Sequence, residues 1–327
     1  MRAATFRKYP HNARVKPFRF LAEARAVASG RELAETARRA EAIGIDVLVI
    51  PDHLIPQLAP IPALATIAAA TERIRISAFV LNNDLRHPAV LAQDLASLDV
   101  LSEGRLEVAI GAGWNRPEYQ ASGLAFDATP IRQARLAEAV AVLKGCFADG
   151  PFSFVGTHYT ITDYDAQPKP AQRPHPPFLI GGGGRKTLTL AAQEAQVVGL
   201  APRILPNGAG DPSSVSVAAT AEKIGWVRDA AGDRFDLLEL NVYPSMTGIS
   251  VTDHARREAE ELADRLHARS GVRVAADELL DSPHIFIGSV DSYVEKFQRL
   301  RRELGISSIM VGEVDELVPV VERLAGT

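Results

Sequence analysis

The sequence is poor in cysteine and contains no long hydrophobic run. Cys146 is the one cysteine among 327 residues, which excludes an internal disulfide and favours a reducing compartment, the cytoplasm. No apolar segment approaches the ~20 residues that a membrane-spanning helix needs, so we expect no membrane contact. The basic segment 1–17 lacks the apolar stretch of a secretory signal, and we interpret it as an N-terminal arm.

The sequence also lacks a large excess of charge of either sign. Its net charge is −4, and no long basic stripe is present, so we expect no nucleic-acid partner. The histidines at 158, 175 and 254 do not have the spacing of metal ligands, and we expect no metal site. With 46% hydrophobic and 23% charged residues, the composition is that of a globular protein.

What the sequence does contain is a regular alternation of short apolar segments and segments with helical periodicity. Near-continuous apolar strands are typical of parallel sheets that helices cover on both faces. Eight such units predict an α/β fold, a (β/α)8 TIM barrel. A doubly wound sheet is the alternative, but no Gly-rich turn follows the first strand. The predicted strands cover residues 18–27, 45–53, 74–84, 105–114, 177–184, 196–202, 237–246 and 306–312.

Two segments interrupt the alternation, and we interpret both as insertions into a single domain that covers residues 1–327. Residues 150–177 contain a hairpin-like sequence, FSFVGTHYTITDY, followed by a proline-rich stretch that must be extended. Residues 247–285 are largely amphipathic and helical, and they are too long for one β/α unit.

The carboxyl ends of the strands hold the active site of a TIM barrel. His53 directly follows the second strand, where it could exchange a proton near neutral pH or be a polar strand end satisfied by its neighbours. The turn GAGWN (111–115) offers small residues to a flat ligand, or forms only a tight turn. Glu118 is interpreted as an acid of an early helix or a loop. Glu23 and Tyr243 lie at the ends of the first and seventh strands.

The stretch LIGGGGRKTL places four glycines, 181–184, between the fifth strand and a helix that begins with Arg185 and Lys186. Cations are unfavourable at a helix N-terminus unless a bound anion attracts both the free N–H groups and the side chains. We therefore interpret the stretch as a phosphate-binding turn, the alternative being a flexible turn with solvated cations. Because no nucleophile elbow and no strand-end lysine is present, we expect a bound cofactor to supply the reactivity.

Three segments carry a resemblance to a known family: IGIDVLVIPDHL, the region from AATERIRISAFVLNND to EVAIGAGWNRPEY, and PKPAQRPHPPFLIGGGGRKTL. Together they resemble the bacterial luciferase-like superfamily, and more narrowly its branch of probable F420-dependent oxidoreductases. The resemblance implies a TIM barrel whose mouth binds the deazaflavin coenzyme F420 or FMN, a small-molecule substrate, and a homodimer.

The resemblance also implies roles for individual residues. Asp52 and His53 would be catalytic and lie beside the cofactor ring, and a non-prolyl cis peptide would lie near residues 79–81. Trp114 stands where sugar-phosphate dehydrogenases of the group carry a glutamate, which argues for an apolar or aromatic substrate. The implied cofactor-binding residues are Phe79, Val80, Leu81, Asn82, Gly111, Ala112, Gly113, Asn115, Gly181, Gly182, Gly183, Gly184 and Arg185, and the implied substrate pocket contains Glu23, Trp114 and Tyr243.

Three functions remain open at the level of sequence. The first is hydride transfer between F420 and an organic substrate, which the basic pair Arg185 and Lys186 favours because the F420 tail is acidic. The second is an FMN-dependent monooxygenase, in which reduced flavin reacts with oxygen. The third is a non-catalytic flavin-binding paralogue, against which the intact Asp-His pair and G-x-G turn argue.

Overall fold

The protein is a parallel β-barrel surrounded by helices in a computed structural model that describes residues 16–205 and 207–327. All but the last two residues of the predicted arm, 1–17, lie outside the described residues. The strands are β1 (Arg19–Glu23), β2 (Val47–Ile50), β3 (Arg75–Ala78), β4 (Leu81–Asn82), β5 (Leu106–Gly111), β6 (Phe152–Val155), β7 (Thr160–Tyr164), β8 (Phe178–Gly182), β9 (Val197–Leu200), β10 (Glu239–Val242), β11 (Ser250–Val251), β12 (Ile287–Gly288) and β13 (Ile306–Glu313).

Eight of these strands, β1, β2, β3, β5, β8, β9, β10 and β13, pair in parallel around the barrel. The barrel is closed because β3 pairs with β2 on one side and with β5 on the other. Each of the eight falls within or overlaps one predicted apolar segment. The predicted (β/α)8 TIM barrel is therefore confirmed.

The helices are α1 (Gly30–Ile43), α2 (Pro60–Ala70), α3 (Pro88–Leu101), α4 (Arg116–Ser122), α5 (Thr129–Phe147), α6 (Arg185–Glu194), α7 (Val217–Ala231), α8 (Ala255–Ser270), α9 (Ala276–Asp281), α10 (Val290–Leu304) and α11 (Val318–Leu324). Local signals explain several boundaries. Ser29 caps α1 by accepting a hydrogen bond from the Glu32 N–H, and Gly44 ends the helix at a positive φ of 96°. The short helix α4 was not predicted.

The two insertions add structure outside the alternation. Strands β6 and β7 pair antiparallel as the expected hairpin. The second insertion contains α8 and α9, and its ends pair through the two-residue strands β11 and β12, which the sequence did not predict. A separate hydrophobic cluster, which includes Leu262, Leu279 and Ile285, holds this insertion together.

The two ends of the barrel interior differ in chemistry. At the amino ends of the strands, Arg19 pairs with Glu107 and Glu239, and Arg75 also pairs with Glu107. These ion pairs fill the interior at the end opposite the predicted site. The carboxyl ends of the strands form the other end of the barrel, hereafter called the mouth. The residues that the sequence singled out lie at this end.

Candidate functional site

His53 lies at the mouth directly after β2 and is paired with a carboxylate. Its Nδ1 lies 2.9 Å from Oε1 of Glu118, which is buried on α4, while the imidazole is 24% exposed. The same carboxylate accepts hydrogen bonds from the Leu54 N–H and the Asn115 side-chain amide. The Trp114 ring meets the imidazole edge-on at 5.8 Å. Nε2 is thus the ring nitrogen that makes no hydrogen bond within the described residues.

Asp52, the neighbour of His53, is buried and fully engaged. Arg86 binds its carboxylate in bidentate fashion, with N···O distances of 2.7 and 3.0 Å. Its Oδ2 also accepts the Asn82 N–H at 2.9 Å. The catalytic role expected for Asp52 remains a prediction, and these contacts favour a role in fixing the backbone between β2 and β4.

The segment between β3 and β4 contains the cis peptide that the family resemblance implies. The non-prolyl bond Phe79–Val80 is cis, and the two residues separate β3 from β4, which both pair with β5. A Cβ on Gly111 would lie 2.9 Å from Val80 Cγ2. Glycine at this position therefore permits close packing of β5 against the segment that contains the cis bond.

The backbone conformation and the neighbours of residue 113 require glycine at this position. Its φ is +74°, and a Cβ would lie 1.9 Å from the Tyr119 hydroxyl. That hydroxyl donates to the side chain of Asn82 or to that of a nearby aspartate, and buried Arg132 donates to the carbonyl oxygens of Ala112 and Gly113. The turn after β5 is consequently held rigidly at the mouth.

The glycine turn 181–184 begins at the end of β8 and leads into α6. A Cβ on Gly183 would lie 2.2 Å from the Pro202 carbonyl oxygen, so only glycine fits beside this backbone. Gly184 is the N-cap of α6, and the first helical turn has neither a side-chain cap nor an acidic residue. Arg185 and Lys186 are exposed and make no ion pair with any other described residue.

Small residues also line the barrel interior next to this turn. Ala109, Leu179 and Val197 share one interior cluster with Phe79 and Val80. Residues two positions further along each strand face the same side, which places Gly111, Gly181 and Gly199 in the interior near the mouth. This part of the interior therefore carries little side-chain volume.

The opposite part of the mouth is bulky and contains two of the expected pocket residues. The Tyr243 ring meets the Phe79 ring edge-on at 5.7 Å, and burial raises the pKa of Tyr243 to about 12. Glu23 ends β1 and forms an ion pair with Arg25 at 3.0 Å. Burial, partly offset by Arg25, raises the pKa of Glu23 above its ordinary value.

His284, which follows α9, is a mouth residue that the sequence analysis missed. It is completely buried, its ring lies 6.3 Å from the Tyr243 ring, and neither ring nitrogen makes a hydrogen bond of normal geometry. Burial, reinforced by the charges of Lys223 and Lys296 and partly offset by the adjacent Tyr243 backbone, lowers the pKa of His284 to about 3. No sequence signal marks a histidine near the end of an insertion as buried.

The structure thus places the sequence-derived candidates at the carboxyl ends of their strands, but it joins them in separate groups. His53 contacts Trp114, and Phe79 contacts Tyr243, whereas no hydrogen bond or ion pair in the described part of the chain links Arg185 to either group. Glu118 is the partner whose importance the sequence did not indicate. Its position three residues after Asn115, at a helix start, was the available signal.

Among the described residues, no group of three or more His, Cys, Asp or Glu side chains is arranged to hold a metal ion. No helix in this part of the chain has the length and apolar character needed to cross a membrane.

Two kinds of cofactor-dependent enzyme are similar to part of the chain. Over 125 residues the chain is 36% identical to an FMNH2-dependent dimethylsulfone monooxygenase of Pseudomonas putida, covering 38% of this chain and 34% of that protein. Over 164 residues it is 32% identical to an F420-dependent glucose-6-phosphate dehydrogenase of Amycolatopsis mediterranei, covering 47% and 48%. The aligned regions thus span a third to a half of these relatives' lengths.

A solved structure and a family model extend the likeness to nearly the whole chain. The coenzyme F420-dependent tetrahydromethanopterin reductase from Methanopyrus kandleri superposes with a TM-score of 0.74 at 17% identity, covering 94% of this chain and 98% of that one. This match shows the shared fold. The family model described as luciferase-like monooxygenase matches residues 15–308. The predicted resemblance is confirmed, and the chain belongs to the luciferase-like monooxygenase family.

Proposed function

We propose that this protein is an oxidoreductase that transfers a hydride between coenzyme F420 and a small apolar or aromatic substrate. The observation that carries the proposal is the glycine turn 181–184, which leads into an uncapped helix whose first residues are the exposed Arg185 and Lys186. An anionic cofactor would satisfy the free N–H groups and both cations at once.

The residues present fit such a cofactor. The N–H groups at the start of α6, together with Arg185, would hold a phosphate. The small interior residues Gly111 and Gly181 leave space near the mouth for a flat ring, beside the Phe79–Val80 segment. When bound, F420 would supply a carbon that accepts or donates a hydride.

His53 is the residue that we assign to proton exchange with the substrate. Nδ1 is engaged by Glu118, so Nε2 remains to accept or donate a proton as the substrate is oxidised or reduced. Nearby apolar side chains support an apolar substrate: Trp114 is 54%, Leu54 54% and Ile55 42% exposed. Such exposed apolar groups at the rim favour a ligand of the same character.

An FMN-dependent monooxygenase is the second candidate, and the dimethylsulfone monooxygenase relative favours it. The phosphate of FMN would meet the same glycine turn and the same cations. A non-catalytic flavin-binding paralogue is the third candidate, and the His53–Glu118 pair argues against it because a binding protein has no need of a held imidazole.

The cofactor is tested by titrating the purified protein separately with F420 and with FMN and following the quenching of their fluorescence. We expect tight binding of F420, and we expect Arg185→Glu to weaken it at least ~10-fold, since a hydrogen bond to a charged group contributes ~1.5–3 kcal/mol. Arg38→Glu, at an exposed position on α1, is the matched control and should leave affinity unchanged.

Each other outcome has a definite meaning. Tight binding of FMN with no response to F420 would replace the first candidate by the second. Equal affinities of the Arg185 and Arg38 variants would refute the anion-binding role of the glycine turn.

A further inference from the structure

We propose that Glu118 is a positioning residue that fixes the tautomer of His53, so that Nδ1 carries the proton and the lone pair of Nε2 faces the mouth. This inference rests on the proposed function only in its assignment of His53 to proton exchange. The tautomer itself is a property of the protein without cofactor.

The contact geometry favours one tautomer. Nδ1 of His53 lies 2.9 Å from Oε1 and 3.1 Å from Oε2 of Glu118. An ionised carboxylate can only accept hydrogen bonds, so the nitrogen that faces it must carry the hydrogen. In the neutral imidazole the other nitrogen, Nε2, is then the acceptor.

Two donors besides the imidazole face the carboxylate of Glu118. Oε1 also accepts from the Asn115 side-chain amide, and Oε2 faces the backbone N–H of Leu54 at 3.4 Å. Both of these groups are donors, so each carboxylate oxygen faces a donor in addition to the imidazole. The carboxylate oxygens are therefore placed to accept hydrogen bonds from these donors as well as from the imidazole.

Glu118 also forms its ion pair with the imidazole and with no other described residue. The side chain is 8% exposed. Asp52, one residue before His53, is by contrast paired with Arg86. The end of β2 is thus held by two buried carboxylates, of which Asp52 is paired with an arginine and Glu118 with the histidine.

The position of Glu118 is fixed by its helix. It lies in the first turn of α4, where an acidic side chain is favourable because the free N–H groups make that end positive. The backbone of the same residue is held through the Ser122 hydroxyl, which donates to the Glu118 carbonyl at 2.7 Å. Because the carboxylate is held in place by its helix, it can determine the orientation of the imidazole.

The test uses nitrogen NMR of the full chain labelled with ¹⁵N-histidine, without cofactor, in mildly alkaline buffer. His53→Gln assigns the His53 signals by their disappearance. We expect His53 in the wild-type protein to be mainly the Nδ1–H tautomer, and Glu118→Ala to shift the tautomer ratio about 10- to 100-fold toward Nε2–H. Gln120→Ala, an exposed position on the same helix, should leave the ratio unchanged.

The outcomes separate this inference from the proposed function. A wild-type His53 that is mainly Nε2–H would overturn the inference without any variant, even if Glu118→Ala does not fold. A folded Glu118→Ala protein with the wild-type ratio would overturn it as well. Failure of both cofactor titrations would sink the proposed function and leave the tautomer result standing.

Discussion

Two sides of the barrel mouth differ in how their buried polar groups are satisfied. On the His53 side, comprising Asp52, His53, Asn82, Arg86, Asn115 and Glu118, the side chains bond one another or the adjacent backbone. On the His284 side, comprising Asn241, Tyr243, Ser245 and His284, several buried atoms make no hydrogen bond of normal geometry: Oδ1 of Asn241, Oγ of Ser245 and both ring nitrogens of His284. Gln57 Oε1 is an unpaired atom close to the first side.

The difference has a physical consequence for function. Bonded groups are held in one arrangement before any ligand binds, which is what proton exchange at a defined atom needs. An unpaired buried polar group destabilises the fold by about 1–3 kcal/mol, so it is expected where a ligand completes the bonding. We therefore expect the His53 side to be rigid and the His284 side to depend on what binds.

The largest expected effect is the loss of the Asp52–Arg86 pair. Asp52→Ala should destabilise the protein by about 3–5 kcal/mol, because it leaves a partly buried guanidinium without its counter-charge and the Asn82 N–H without an acceptor. Urea unfolding measures the change. Asp277→Ala, which removes an ion pair between side chains that are 66% and 70% exposed, is the control, with an expected change below ~1 kcal/mol.

If Asp52→Ala is no more destabilising than Asp277→Ala, the bonding on the His53 side is not a source of rigidity. The two sides of the mouth would then not differ in rigidity.

A smaller effect is expected in the glycine turn, which lies between the two sides. Gly183→Ala should destabilise by ~1–3 kcal/mol and weaken cofactor binding, because its Cβ would overlap the Pro202 carbonyl oxygen. Gly184→Ala is the matched control, since no atom lies within 4 Å of its added Cβ and only a weaker N-cap is lost, worth less than ~1 kcal/mol. Urea unfolding and the F420 and FMN titrations provide the measurements. Equal stabilities of the Gly183→Ala and Gly184→Ala variants would show that the turn can move away from Pro202 with little loss of folding free energy.

The sequence predicted the barrel because its strands are buried on both faces. Runs such as VLVI of β2 and VVGL of β9 are apolar throughout, and the helices between them have clear ends such as Gly44. The elements that were missed have no periodicity to detect. Strands β11 and β12 have two residues each, and α4 has seven.

The sequence singled out positions in the candidate site but not the partners of these residues. His53 could be selected because it follows a buried strand, and the Phe79–Val80 cis bond was expected from the family resemblance. The His53–Glu118 pair joins residues 65 positions apart, and the bonding of Asp52 to Arg86 spans 34. Such pairings depend on how the turns after different strands meet, which no local pattern encodes.

The smallest expected effect is the contribution of His284 to the loss of stability at acidic pH. Because burial and the charges of Lys223 and Lys296 lower its pKa to about 3, the folded protein keeps this imidazole neutral while the unfolded chain protonates it below about pH 6.5. The unfolded state then binds more protons, so stability falls as the pH drops through this range, by up to ~1.4 kcal/mol per pH unit. His284→Leu removes this contribution.

We therefore expect the free energy of unfolding of the wild-type protein to fall by about 1 kcal/mol more than that of His284→Leu between about pH 6 and pH 5, as measured by urea unfolding at each pH. Near neutral pH the variant should be as stable as the wild type or slightly more so, since leucine has no unpaired polar atom to bury. His254→Leu, at an exposed position, controls for the removal of one histidine. Identical pH dependence in the wild type and His284→Leu would mean that the imidazole titrates alike in both states. The His284 side would then already be open to water, and the contrast with the His53 side would be one of solvent access rather than of missing partners.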